Sequence, residues 1–169
     1  MDAASRAARK AAKEAEEWEK KRQGSVVGEG ISVVWQEKLP GGGVKRVVEA
    51  HAVTGRLNAK TRASLLNQAS GTLYKENVAR AHFKAPVVKG DEAKHIVEAT
   101  GGVTVTSIEP TGVTVTSDRL IWYANEDKII AEGEVKFQKT RPGETSLWAW
   151  GGPFDRVTFN TTLNQWVIQ

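Results

Sequence analysis

The sequence predicts an all-β protein: an antiparallel β-jelly roll built from repeated strand-turn-strand units, with a short N-terminal helix. Three observations carry that expectation. The chain of 169 residues holds 19 Val, 7 Ile and 14 Thr, all β-branched, and none of them stands in the first 24 positions. Beyond Gly24 the apolar side chains recur at every second residue, the period of a half-buried strand. Clusters of Pro, Gly, Asn and Asp separate those runs, as turns require.

Residues 1–23 form the first element. They contain seven Ala and twelve charged residues of mixed sign, good helix formers, with Met1 and Trp18 as the large apolar side chains. Such a segment lacks the apolar stripe that docks a helix firmly, so it reads as a solvated helix ending at Gly24. The second segment, 24–169, is the β domain. Ile31, Val33 and Trp35 alternate with polar or smaller neighbours, and Leu39-Pro40-Gly41-Gly42-Gly43 turns the chain into Val47–Val53. Strand-like runs follow at Ala63–Leu66, Gly71–Tyr74 and Ala79–Phe83, with a turn expected at Lys89-Gly90-Asp91 before His95-Ile96-Val97. Val103 and Val105, Val113 and Val115, Leu120 and Trp122, and Val135 and Phe137 continue the alternation. Turns are expected between them at Glu109–Gly112, Asn125–Asp127 and Arg141–Gly143. Leu147–Trp150, Val157–Asn160 and Trp166–Ile168 complete a count of ten or more short antiparallel strands.

Laid over itself, the chain shows four copies of one unit, roughly 30 to 40 residues long, each a strand, a turn, a longer strand and a return. No copy can bury its apolar face alone. Stacking them predicts two facing sheets, with unpaired strand edges left only at the two ends.

Composition narrows the chemistry. With 24 bases against 20 acids the net charge is +4, too evenly mixed for a nucleic-acid partner. The absence of cysteine excludes disulfides, thiolate metal sites and a cysteine nucleophile. His51, His82 and His95 have no ligand-like spacing, so neither a metal nor a cofactor is expected. Asp118, Glu126, Asp127, Glu132 and Glu134 cluster at expected turns, Ser64, Ser107 and Ser117 lie in no nucleophile elbow, and Gly41–Gly43 opens no helix. No catalytic residue is assigned. No apolar run approaches the ~18 residues of a membrane-crossing helix.

The run Gly112–Val135, in which Ser117-Asp118 leads through Leu120-Ile121-Trp122-Tyr123 and a polar turn to Gly133-Glu134-Val135, resembles the repeat of the OstA-like lipopolysaccharide-transport proteins, the LptA/LptC group. The likeness spans roughly 30–169, and the order of Val44–Ala52 and 71–85 is closer to LptC than to LptA. The resemblance implies a periplasmic jelly roll, open along one side, that holds the acyl chains of lipopolysaccharide or another acyl lipid. It also implies edge-strand pairing with other jelly-roll transport proteins, and, for LptC-type members, a seat on an inner-membrane transporter complex through a membrane anchor absent here. The charged alanine-rich start departs from that pattern.

A groove for acyl chains needs only buried apolar surface, worth about 0.8 kcal/mol per methylene. The interior candidates are Val33, Trp35, Val48, Ala50, Leu73, Val113, Val115, Leu120, Trp122, Ile129, Val135, Phe137, Trp148 and Phe159. Lys45, Arg46, Arg119, Lys136 and Lys139 are candidates for meeting lipid phosphates at its mouth. The competing readings are a non-enzymatic structural or assembly β-domain of the cell envelope, with the same fold and a closed core, and a carbohydrate-active β-domain. An elongated apolar cavity between the sheets separates the first reading from the second.

Overall fold

The computed structural model describes residues 3–22, 25–108, 112–140 and 147–169; the side chains of 13–26 and 147–150 lie outside that description. A helix, α1 (Ala3–Arg22), precedes nine strands: β1 (Ser25–Lys38), β2 (Val44–Asn58), β3 (Ala63–Lys75), β4 (Val78–Asp91), β5 (Ile96–Ser107), β6 (Val113–Tyr123), β7 (Lys128–Thr140), β8 (Leu147–Phe159) and β9 (Trp166–Ile168). All nine belong to one antiparallel sheet in sequence order. Two expectations are corrected among the described residues. There are nine strands rather than ten or more, and all but β9 are 11 to 15 residues long. The sheet is also continuous rather than two separate ones.

One sheet supplies two facing walls because it is bent across its middle. In a flat sheet of ~4.8 Å spacing, β1 and β6 would stand about 24 Å apart. Yet the Trp35 and Trp122 rings meet edge to face with centroids at 6.5 Å. Trp35 also stacks on His95, in the β4–β5 turn, at 5.7 Å.

The bend follows a line of broken pairing. The ladder skips between Lys84 and Val87, Thr100 and Val103, Thr116 and Arg119, and Glu132 and Val135. The skipped positions begin at 85, 101, 117 and 133, so each break falls 16 residues after the last. Two strands make a 32-residue hairpin, which is the physical basis of the sequence repeat. Pro86, which has no amide hydrogen to donate, sits in one such break. Gly133, at φ +80°, sits in another, where an added Cβ would lie 2.6 Å from the Asp118 carboxylate. The bend thus divides most strands into two halves that belong to opposite walls.

Lys89-Gly90-Asp91, expected as a turn, continues β4 instead. Gly90 serves there because the Ser64 hydroxyl occupies the place of its missing side chain. The Asn125–Asp127 turn is present as a short 3₁₀ turn at Ala124–Glu126, followed by Asp127 in the left-handed region. The expected turn residues 109–111 and 141–143 lie outside the described residues.

Candidate functional site

Alternation puts one face of each half-strand inside the bend. From β1 and β2 the inward side chains are Val33, Trp35, Val48 and Ala50; from the opposite wall they are Leu57, Leu66, Val88 and Val97. These eight line an apolar cavity of about 390 Å³ between the walls, at the β1 end of the sheet. Gly71 helps to shape it. A Cβ there would collide with the Glu49 carbonyl oxygen and lie 2.8 Å from the Phe83 ring, so glycine leaves room for that ring in the lining.

Burial is uneven along the sheet. At the β1 end Val33 and Leu57 are half-buried and the cavity reaches solvent. At the other end Trp122, Ile129, Val135, Val157, Phe159 and Leu163 are fully buried and pack against one another. Of the fourteen interior candidates, Val33, Trp35, Val48 and Ala50 line the cavity. Leu73, Val113, Val115, Leu120, Trp122, Ile129, Val135 and Phe159 are buried in the closed core, and Phe137 is half-buried against it. The side chain of Trp148 lies outside the described residues. The structure therefore divides candidates that the sequence grouped together: four line the cavity, and the other described ones lie in or against the continuous core with which its walls merge.

The closed end carries a chain of polar contacts. The Trp122 Nε1–H donates to Thr161 Oγ1 at 3.1 Å, and the Thr161 amide donates to Asp127 Oδ1 at 2.9 Å. Lys75 Nζ donates to Asp127 Oδ2 at 2.5 Å, joining the end of β3 to the β6–β7 turn on the opposite wall. Partial burial would by itself raise the Asp127 pKa, but the hydrogen bonds from Lys75 and Thr161 outweigh it and hold the carboxyl below its ordinary value. Nearer the cavity, His95 Nδ1 and Glu37 Oε1 lie 2.6 Å apart across the two walls, and Lys45 reaches Glu37 at 3.6 Å.

The cations expected at the mouth are elsewhere. Arg46 pairs with Glu49 and lies over the Tyr74 ring, Arg119 bridges Glu98 and Glu132, and Lys136 is exposed. None of Lys45, Arg46, Arg119, Lys136 and Lys139 lines the cavity. The charges at its rim are Arg62 and Glu92, paired at 2.8 Å across the β2–β3 and β4–β5 turns. Hydrogen bonding to Glu92, with its negative charge, raises the Arg62 pKa above its ordinary value. Sequence alone offered no signal for this pair, because 30 residues separate its members and only the fold brings them together.

Four of the five acids at the expected turns are committed to cations or to the bend: Glu126 pairs with Lys128, Asp127 with Lys75, and Glu132 with Arg119 and Arg156, while Asp118 lies against Gly133. No protein-family model and no curated protein matches the chain. Among the described residues no three His, Asp or Glu side chains gather as a metal site, and no helix is long and apolar enough to cross a membrane.

Proposed function

We propose that the chain is a non-enzymatic lipid-binding jelly roll of the OstA-like lipopolysaccharide-transport type, periplasmic and closer to LptC than to LptA. The observation that carries this reading is the apolar cavity of about 390 Å³ held between two halves of one bent sheet. A lining of Val, Leu, Ala, Phe and Trp has little to offer a polar substrate and much to offer an acyl chain. Burying ten methylenes there gains about 8 kcal/mol before the costs of ordering are subtracted. The long β1 edge, paired on one side only among the described residues, supports docking of a neighbouring jelly roll by strand addition. Passage of cargo to that neighbour, and contact with an inner-membrane transporter, complete the proposal.

The fully buried core between β5 and β9 favours a second reading for that half, a structural envelope domain. Uptake of acylated probes by the purified chain decides between them. Photo-crosslinkable and fluorescent acyl probes, single-chain and lipid A among them, are offered to the chain, and labelling of Val33, Val48 or Ala50 by at least one of them is the expected result. Ala50→Phe, which fills the cavity, is expected to abolish uptake. Ala63→Trp, at the half-buried mouth, is a second blocking variant should the first fail to fold. No uptake of any acylated probe by the folded parent chain overturns the lipid reading in favour of the structural one.

A further inference from the structure

The size and rim of the cavity say more about its occupant. A cavity of about 390 Å³ has room for on the order of ten to fifteen methylenes, each close in size to a water molecule. That is one medium-length chain. A lipid with several acyl chains exceeds it several-fold, and the neighbouring core is packed shut by side chains that are at most a few per cent exposed.

The rim leads to a second surface. Asn58, Ala63, Ser64 and Gly90 line the cavity and also an open groove on the outer face of the same wall. In that groove Arg56 and Lys89 flank Leu65 in one cross-strand row, since Arg56 pairs with Leu65 and Leu65 with Lys89. Two strand spacings put the cations about 10 Å apart. Both are exposed, and neither takes an ion-pair partner among the described residues. Asp91 is engaged by Lys94 at 4.0 Å and Glu98 by Arg119 at 3.2 Å, so the groove's two nearest acids are already paired. A head group leaving the cavity over Ser64 arrives between two cations that take no ion-pair partner among the described residues; Glu98, the cross-strand neighbour of Lys89, is turned to Arg119.

Resting on the acyl-lipid part of that reading, and narrowing its cargo from lipopolysaccharide, we infer that the ligand is an anionic amphiphile with a single acyl chain. Its chain fills the β1-end cavity, and its anionic head lies over the rim against Arg56 and Lys89.

The test is a chain-length series. Fatty carboxylates of 8 to 18 carbons, below their micelle concentrations, displace a fluorescent acyl probe from the full chain; alkyl maltosides serve as neutral heads and hexa-acylated lipid A as the multi-chain probe. The expected result is a Kd that falls about fourfold per methylene up to 12 to 14 carbons and then levels off, because the cavity is full. Arg56→Gln with Lys89→Gln is expected to weaken carboxylates at least fivefold and leave maltosides unchanged; both positions are exposed, so the variant keeps its fold. A Kd that keeps falling to 18 carbons overturns the inference, as does binding of lipid A without single-chain binding. Either result leaves the lipid reading standing. Equal affinity for maltosides and carboxylates at low salt overturns the anionic head. Absence of binding by every acylated probe overturns the lipid reading itself.

Discussion

Thr161→Val exchanges one atom at the closed end of the sheet, the hydroxyl oxygen for a methyl carbon. The side chain is fully buried, valine copies its shape, and the atom lost is the Oγ1 that accepts the Trp122 indole hydrogen at 3.1 Å. Trp122 is itself fully buried, so its N–H is left with neither protein nor solvent as acceptor. An unsatisfied buried donor costs about 1–3 kcal/mol, more than the net worth of the bond itself. At a urea slope of about 2 kcal/mol/M, a 2 kcal/mol loss lowers the midpoint by roughly 1 M. The same loss lowers Tm by about 4–8 °C in a chain of this size. Urea titration followed by tryptophan fluorescence reads the change. Thr116→Val, on an exposed position of β6, is the control and stays within about 0.5 kcal/mol of the parent. In a double-mutant cycle with Trp122→Phe, the pair is expected to cost less than the sum of the singles by about the energy of the shared bond. A Thr161→Val midpoint within about 0.2 M of the parent refutes the reasoning, because it means that the indole hydrogen is not held where the geometry places it.

Three further outcomes test other parts of the structure. The depressed Asp127 carboxyl stabilises the fold above its ordinary unfolded pKa, and that stability is lost as pH falls through the lower folded value; with Asp127 and Lys75 each about a third exposed, the effect is at most about 1 kcal/mol. Asp127→Asn should therefore be less stable than the parent at pH 7 by urea titration, with the gap closing below about pH 4 as the parent's carboxyl protonates. Gly133→Ala is expected to cost about 1–3 kcal/mol from its positive φ and its collision with Asp118, and a second change, Asp118→Ala, should return part of that loss. Leu66→Ala enlarges the lined cavity and should move the levelling-off of the chain-length series two or three carbons higher, at a stability cost near the low end of the usual 2–5 kcal/mol because the site is already open on one side.

The inner and outer faces of the strands were legible because side chains alternate strictly. Val103, Val105, Val113, Val115, Leu120 and Trp122 all point inward, as their spacing predicts. The bend was not legible from any one strand. It rests on single residues such as Pro86 and Gly133, whose meaning appears only when the 16-residue interval between breaks is seen. Gly90 misled for a related reason: a glycine that makes room for the Ser64 hydroxyl looks, in sequence, like a glycine that makes a turn. The apolar half of the candidate site follows from the pattern, since alternation turns Val33, Trp35, Val48 and Ala50 to the interior. Its charged rim did not. Arg62 and Glu92 meet across two turns, and Arg56 and Lys89 come to flank Leu65 from the two neighbouring strands, and such proximity has no local signature.

The regular interval between breaks also limits how such a chain can change in length. One residue inserted into a strand turns its inner face outward and moves its break off the line shared with its neighbours, so that both walls lose register at once. A whole 32-residue hairpin does neither. It adds two half-strands to each wall and carries its own two breaks already in step. Gene duplication in hairpin units therefore lengthens this architecture with little disturbance, whereas small insertions are confined to the turns.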